Sequence, residues 1–291
     1  MAKNPPRSSN NQDRVQAARE QAEQQRIATQ KAQRRRANLI KAAIAATVLI
    51  VVAVAVVIII ALKNQDEEQH SESSYPKTGN EYGGVVFTSP NEAKEFNLSG
   101  TVKRPEGDPP APAEDVNISG ADANAKPVQV IVYADPACPH CFEFERAFGP
   151  LLNQKLEAGE ITLEQRMVPY LDRGSPSNFS SRAVNMLACV ADAKPDAYNA
   201  VLNDVFETHM NQGELKNQEL IDLAKKHGVE GKIDSCVTEG RFRPWIANAD
   251  HQAREDGVRG TPSVFVNGER WDGEQEPSFE NWLQTKIDDA K

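Results

Sequence analysis

The sequence predicts an α/β domain in which a block of helices interrupts a mixed sheet, standing behind one membrane-spanning helix. Three observations carry this reading. Residues 128–133 are a short apolar run followed by Cys138-Pro139-His140-Cys141 and an amphipathic segment, the signature of a strand-to-helix junction. Residues 263–271 read as a hairpin entered through Thr261-Pro262, with Asn267-Gly268 at its turn. Between the two, 177–256 reads as helical, and helices inserted into a mixed sheet make an α/β domain.

The first 41 residues form a basic cytoplasmic segment. Residues 1–12, rich in Pro, Ser and Asn, lack the apolar content for a core. Residues 14–36 are good helix formers without a wide apolar stripe. Residues 42–62 then run for 21 positions without a charge, and about 20 apolar residues cross a bilayer as a helix. Arg34-Arg35-Arg36 and Lys41 precede this stretch, whereas Asp66-Glu67-Glu68 follow it, which sets the N-terminus inside. Residues 1–41 hold ten Lys and Arg against three Asp and Glu, so the remainder carries −16 of the total −9. A cleaved leader has an apolar core of about 7–15 residues and a shorter basic region. The expectation is therefore an uncleaved single-pass anchor in the cell membrane with an acidic extracytoplasmic domain and no nucleic-acid partner.

Residues 63–114 are expected to be stalk and connector: 64–80 is polar, 81–101 is a candidate to contribute a strand or helix to the folded domain, and 106–112 is Pro-rich. Residues 115–176 are expected to form the first part of the folded domain. It comprises one short and one buried strand within 116–133, then a helix over 142–156. Phe144, Phe148, Leu151 and Leu152 have core spacing on that helix, Pro150 predicts a kink, and a further strand is expected over 161–170. Residues 177–257 are the helical block, where Leu220, Leu223 and Ala224 repeat between Asn217 as cap and Gly228 as stop. Residues 258–291 complete the domain with the hairpin and a helix over 279–290.

The chemistry concentrates at Cys138-Pro139-His140-Cys141. The first turn of a helix leaves backbone N–H groups unpaired and carries partial positive charge, which stabilises a thiolate on its capping residue. Cys138 is that residue; Cys141, three positions inside, keeps its proton longer. Pro139 fits the first helical turn because it lacks an N–H and fixes φ near the helical value. His140 offers a ring toward the Cys138 sulfur. Zinc is the rival reading, but the motif provides at most three close ligands and no second cluster accompanies it, so no metal is expected.

With Thr261-Pro262 standing before a strand, the chain resembles the DsbA-like thiol:disulfide oxidoreductases of the thioredoxin superfamily over residues 116–291. The resemblance implies a thioredoxin-like fold with an inserted α-helical domain, Cys138 as nucleophile, Cys141 as resolving cysteine and Pro262 as a cis-proline. It further implies disulfide transfer to unfolded exported cysteine-containing proteins at the edge beside Thr261 and Pro262. Reoxidation by a DsbB-like or VKOR-like membrane protein follows, with no cofactor. One departure stands out: the carboxylate often found six residues before the first cysteine is Val132 here, and Asp135 is expected in the loop. Cys189 and Cys236 remain after the local pairing, and an oxidising compartment makes them a structural disulfide. Two alternatives stay open: an isomerase or reductase of the same fold, and a non-catalytic peptide-binding or chaperone module.

Overall fold

The computed structural model describes residues 71–291, a helical stretch at 47–57 and scattered helical positions between 19 and 41. Readings made for 1–12, 42–46 and 58–70 lie outside the described residues. Among the described residues no helix is long and apolar enough to cross a membrane. The described part of the expected span, 47–57, is helical and exposed.

The sheet is built around β5 (Val128–Ala134). Its residues are apolar on both sides because both faces are covered. Val128, Val130 and Val132 enter one core, Ile131 and Tyr133 a second. β5 pairs in parallel with β6 (Ile161–Met167) and antiparallel with β7 (Ser263–Val266). β7 turns through Asn267 and Gly268, both at positive φ, into β8 (Glu269–Arg270), as the Asn-Gly signal requires. On the first face lie α1 (Pro139–Glu157) and a C-terminal helix (Phe279–Asp289), joined by ring contacts among Phe144, Phe148 and Phe279. Those aromatics are core, as their spacing predicts.

Between β6 and β7 run five helices. They are α2 (Phe179–Ala193), α3 (Tyr198–Gln212), α4 (Asn217–Lys226), α5 (Ile233–Thr238) and α6 (Arg243–Glu255); the C-terminal helix is α7. α2 is buried almost throughout, since the other helices of the block wrap it. The cap of α4 is Lys216 and not Asn217, which is the first helical residue; Glu219 accepts the Lys216 backbone N–H at 2.7 Å. Gly228, at φ +73, terminates the helix as expected.

Three expectations need correction. No short strand forms within 116–127; turns closed by a cis Lys126-Pro127 bond occupy it, and only Ile118 reaches the core. The strand expected over 161–170 stops at Met167, and a 3₁₀ turn, Tyr170–Gly174, follows. Residues 71–80 and 102–114, expected as stalk and connector, belong to the folded unit, as does 81–101, where the anticipated element is a strand. β1 (Glu72–Ser73) pairs with β4 (Val102–Lys103), while β2 (Gly84–Ser89) pairs antiparallel with β6 and with β3 (Glu92–Ala93).

The reason lies in side chains whose partners are remote. β2 carries Val85 and Phe87 into the core and covers the strand edge β6 would otherwise expose. Trp245 Nε1 donates to Asn80 O at 2.9 Å, and Thr78 Oγ1 to Ala191 O at 2.8 Å. Beneath them Arg166, fully buried, donates to Glu164 at 2.7 Å, to Tyr133 Oη at 2.7 Å and to Ser119 O at 2.8 Å. A buried guanidinium tolerates such a place only because every partner is present.

Candidate active site

β5 ends in a loop that delivers Cys138 to the N-terminus of α1. Cys138 is the N-cap, with extended backbone (φ −85°, ψ 118°), and Pro139 opens the helix. Cys138 O accepts from Cys141 N at 3.1 Å and Phe142 N at 3.2 Å, so the helix starts immediately behind the sulfur. Both cysteines are reduced and buried; Cys138 is 6 % exposed and Cys141 2 %.

The two thiols are pushed in opposite directions. Cys138 is lowered to about 5, first by a hydrogen bond from the Cys141 thiol, against a desolvation cost, then by the Thr261 side chain and the backbone N–H groups of Cys141 and His140. Cys141 is raised far above the ordinary range by burial and by the Cys138 sulfur beside it. At neutral pH the site thus holds one thiolate and one thiol, and the thiolate is the one nearer the surface.

Thr261-Pro262 faces the pair. The peptide bond is cis, and the Cys138 thiol, when protonated, donates to Thr261 O at 3.3 Å. The loop that precedes β7 therefore touches Cys138 across 123 residues of sequence. His140 lies elsewhere than expected: its ring is exposed and its Nδ1 sits 3.2 Å from Glu143 Oε2, a neighbour three positions along the helix. What His140 gives Cys138 is its backbone N–H.

Asp135 lies in the loop after β5, as expected, and is fully buried there. Its carboxylate accepts from Ala137 N at 2.8 Å, Leu171 N at 2.8 Å and Ser180 Oγ at 2.7 Å, and its carbonyl accepts from Cys138 N at 2.9 Å. Burial pushes its carboxyl up to about 6 against those hydrogen bonds. Asp135 thus ties the cysteine loop to the 3₁₀ turn and to α2. An Asp two residues before a turn amide was the signal available in the sequence; Leu171 and Ser180 were beyond its reach. Val132, the apolar departure, is buried in the layer under α1. Glu145, one turn beyond Cys141, lines a crevice of about 410 Å³ with Phe142, Arg146, Asn203 and Glu207, where burial pushes it up to about 7. A Cβ on Gly149 would come within 2.9 Å of its Oε1, so the carboxylate lies in space that only glycine leaves.

Cys189 and Cys236 are joined in a disulfide that links α2 to α5. Both are buried, and Asn185 secures the surroundings, donating to Cys236 O at 3.3 Å and accepting from Phe242 N at 2.9 Å.

Residues 120–288 match the thioredoxin family model. The thiol:disulfide interchange protein DsbA of Dickeya dadantii (strain 3937) is 25 % identical over 169 residues, covering 56 % of this chain and 78 % of that protein. DsbA from Mycobacterium tuberculosis in its oxidised crystal form is 30 % identical, covers 62 % of this chain and 90 % of that one, and superposes with a TM-score of 0.50. MdbA, a thiol-disulfide oxidoreductase from Actinomyces oris, shares the fold at 19 % identity, with a TM-score of 0.53 over 74 % of this chain and 92 % of that one.

Proposed function

Since the chain belongs to the thioredoxin family and is a thiol:disulfide oxidoreductase of DsbA type, we propose that it is a dithiol oxidase tethered to the cell membrane, with its catalytic domain on the extracytoplasmic side. The observation that carries the oxidising direction is the Cys138 sulfur held as a thiolate at the N-terminus of α1. Stabilising that thiolate stabilises the reduced pair, which makes the Cys138–Cys141 disulfide the stronger oxidant.

A cysteine thiolate of an unfolded exported protein attacks Cys138 Sγ, the sulfur of the two that lies nearer the surface. The Cys138–Cys141 bond breaks and a mixed disulfide forms. A second substrate thiol attacks the substrate sulfur, and Cys138 leaves as the stable thiolate. The loop at Thr261 and Pro262 is partly exposed beside the sulfur and offers substrate backbone a place to pair, a mode that reads main chain more than sequence. The anchor rests on the uncharged stretch 42–62 and its basic flank. Reoxidation by a DsbB-like or VKOR-like membrane protein completes the cycle.

The test is the equilibrium reduction potential of the full chain in detergent, titrated against glutathione, with Cys189 and Cys236 intact or both replaced by Ser. A value near or above about −180 mV, unchanged by the replacement, is expected. A value below about −250 mV makes the chain a reductant and sinks the oxidase reading.

A further inference from the structure

Opening the Cys138–Cys141 disulfide puts an electron pair on Cys141 Sγ, in a place that disfavours a thiolate. Cys141 is 2 % exposed and its thiol is raised far above the ordinary range. A proton must therefore reach a sulfur shut off from bulk water.

The α1-facing side of the sheet is apolar at Val130 and Val132 of β5, Leu163 and Met167 of β6 and Val85 of β2. Gln165 interrupts it. Lying two residues from both Leu163 and Met167, it shares their face by the two-residue period of a strand. The register sets it opposite Val132 on one side and Val85 on the other. It is 2 % exposed, and its Nε2 has no hydrogen-bond partner among the described residues. A buried amide donor left unpaired is destabilising and rare in a packed layer. α1 packs on β6 and β2, which puts this amide under the helix whose first turn holds Cys141.

We propose that Gln165 is the proton-relay residue of Cys141, its amide holding a water molecule in the layer beneath α1 that exchanges a proton with the Cys141 sulfur. This rests on the dithiol-oxidase reading of Cys138 and Cys141. As the substrate sulfur bonds to Cys138 and the Cys138–Cys141 bond breaks, the electron pair goes to Cys141 and the proton comes from solvent through that water. The same route carries the proton out when Cys141 attacks during reoxidation. A neutral amide suits this role because it donates through Nε2 and accepts through Oε1 without a negative charge that would raise the thiol further. The nearby carboxyls are otherwise engaged. Asp135 is committed to Ala137, Leu171 and Ser180, and Glu145 points along α1 toward Gly149, away from Cys141.

The experiment reduces the oxidised full chain in detergent with glutathione and follows the appearance of the Cys141 thiol in wild type, Gln165→Leu and Gln165→Glu. Gln165→Leu is expected to slow reduction at pH 7 by about tenfold or more, while the Cys138 thiolate midpoint stays in place and the melting temperature holds or rises. Gln165→Glu is expected to recover rate and to add one titration to the pH profile. A Gln165→Leu chain as fast as wild type overturns the relay. So does a slowing that comes with a lowered melting temperature and no rescue by Gln165→Glu, because that is a structural role. A Cys141→Ser chain with Gln165 intact that forms no mixed disulfide at Cys138 with oxidised glutathione fells the underlying oxidase reading, and it shows without any change at Gln165.

Discussion

The chain carries two cysteine pairs, and they differ in everything except the residue. Cys138 and Cys141 stand three apart at the mouth of a helix, with backbone amides and the Thr261 side chain turned toward one sulfur. Cys189 and Cys236 stand 47 apart, bonded between α2 and α5 within the core, with the Asn185 amide beside them. The first pair has donors that stabilise a thiolate and one sulfur that a partner can reach; the second is closed in a bond inside the core. Reactivity therefore comes from the surroundings, not from the cysteine.

The largest test of that contrast is Cys138→Ser, expected to drop disulfide formation in a reduced test protein to the uncatalysed rate. The double replacement of Cys189 and Cys236 by Ser should leave that rate unchanged. Loss of activity in the double variant breaks the division of labour. The same double variant sharpens the comparison from the other side: a closed loop of this length stabilises by up to about 4 kcal/mol in the chain-entropy model, so a loss of about 2–4 kcal/mol in urea unfolding is expected.

The pairs also part company on pH. Cys138 is held at about 5 against an ordinary value of 9.0, so between those values the folded reduced chain binds fewer protons than the unfolded one. The stability of the reduced form relative to the disulfide form should rise with pH across that window, by about 1.4 kcal/mol per unit, and the advantage is lost as pH falls through about 5. Cys141, raised above its ordinary value, contributes nothing in the same range. Unfolding of both redox forms at pH 5, 7 and 8.5 checks this; a flat difference removes the thiolate from the argument. The smallest effect belongs to Thr261→Val, which deletes one donor to the Cys138 sulfur and should raise its midpoint by about one unit or less, read from thiolate absorbance.

The active-site junction was legible because its signals are local. An apolar run, a Cys-Pro-His-Cys motif and an amphipathic helix follow one another within 30 residues, and Asn267-Gly268 fixes its own hairpin. The disulfide pairing was legible by elimination. Of the segment 71–114 only a candidate element over 81–101 was legible, since the placing of β2 depends on covering β6, a strand more than 70 residues away, and that of Asn80 on meeting Glu164 and Trp245. His140 was misplaced because a motif states that a ring is near a sulfur, whereas the helix surface gave it Glu143.

By itself the sequence determined where a Cys-Pro-His-Cys motif meets a helix, that the helix starts behind Cys138, and that a proline loop returns before a strand, since spacing and turn residues encode these directly. Tertiary structure alone decided that Thr261 touches Cys138, that Asp135 is buried among Leu171 and Ser180, and that an unpaired Gln165 amide lies beneath α1. Burial and hydrogen-bond partners across 36 to 123 residues depend on the packed sheet, and no local pattern of residues records them.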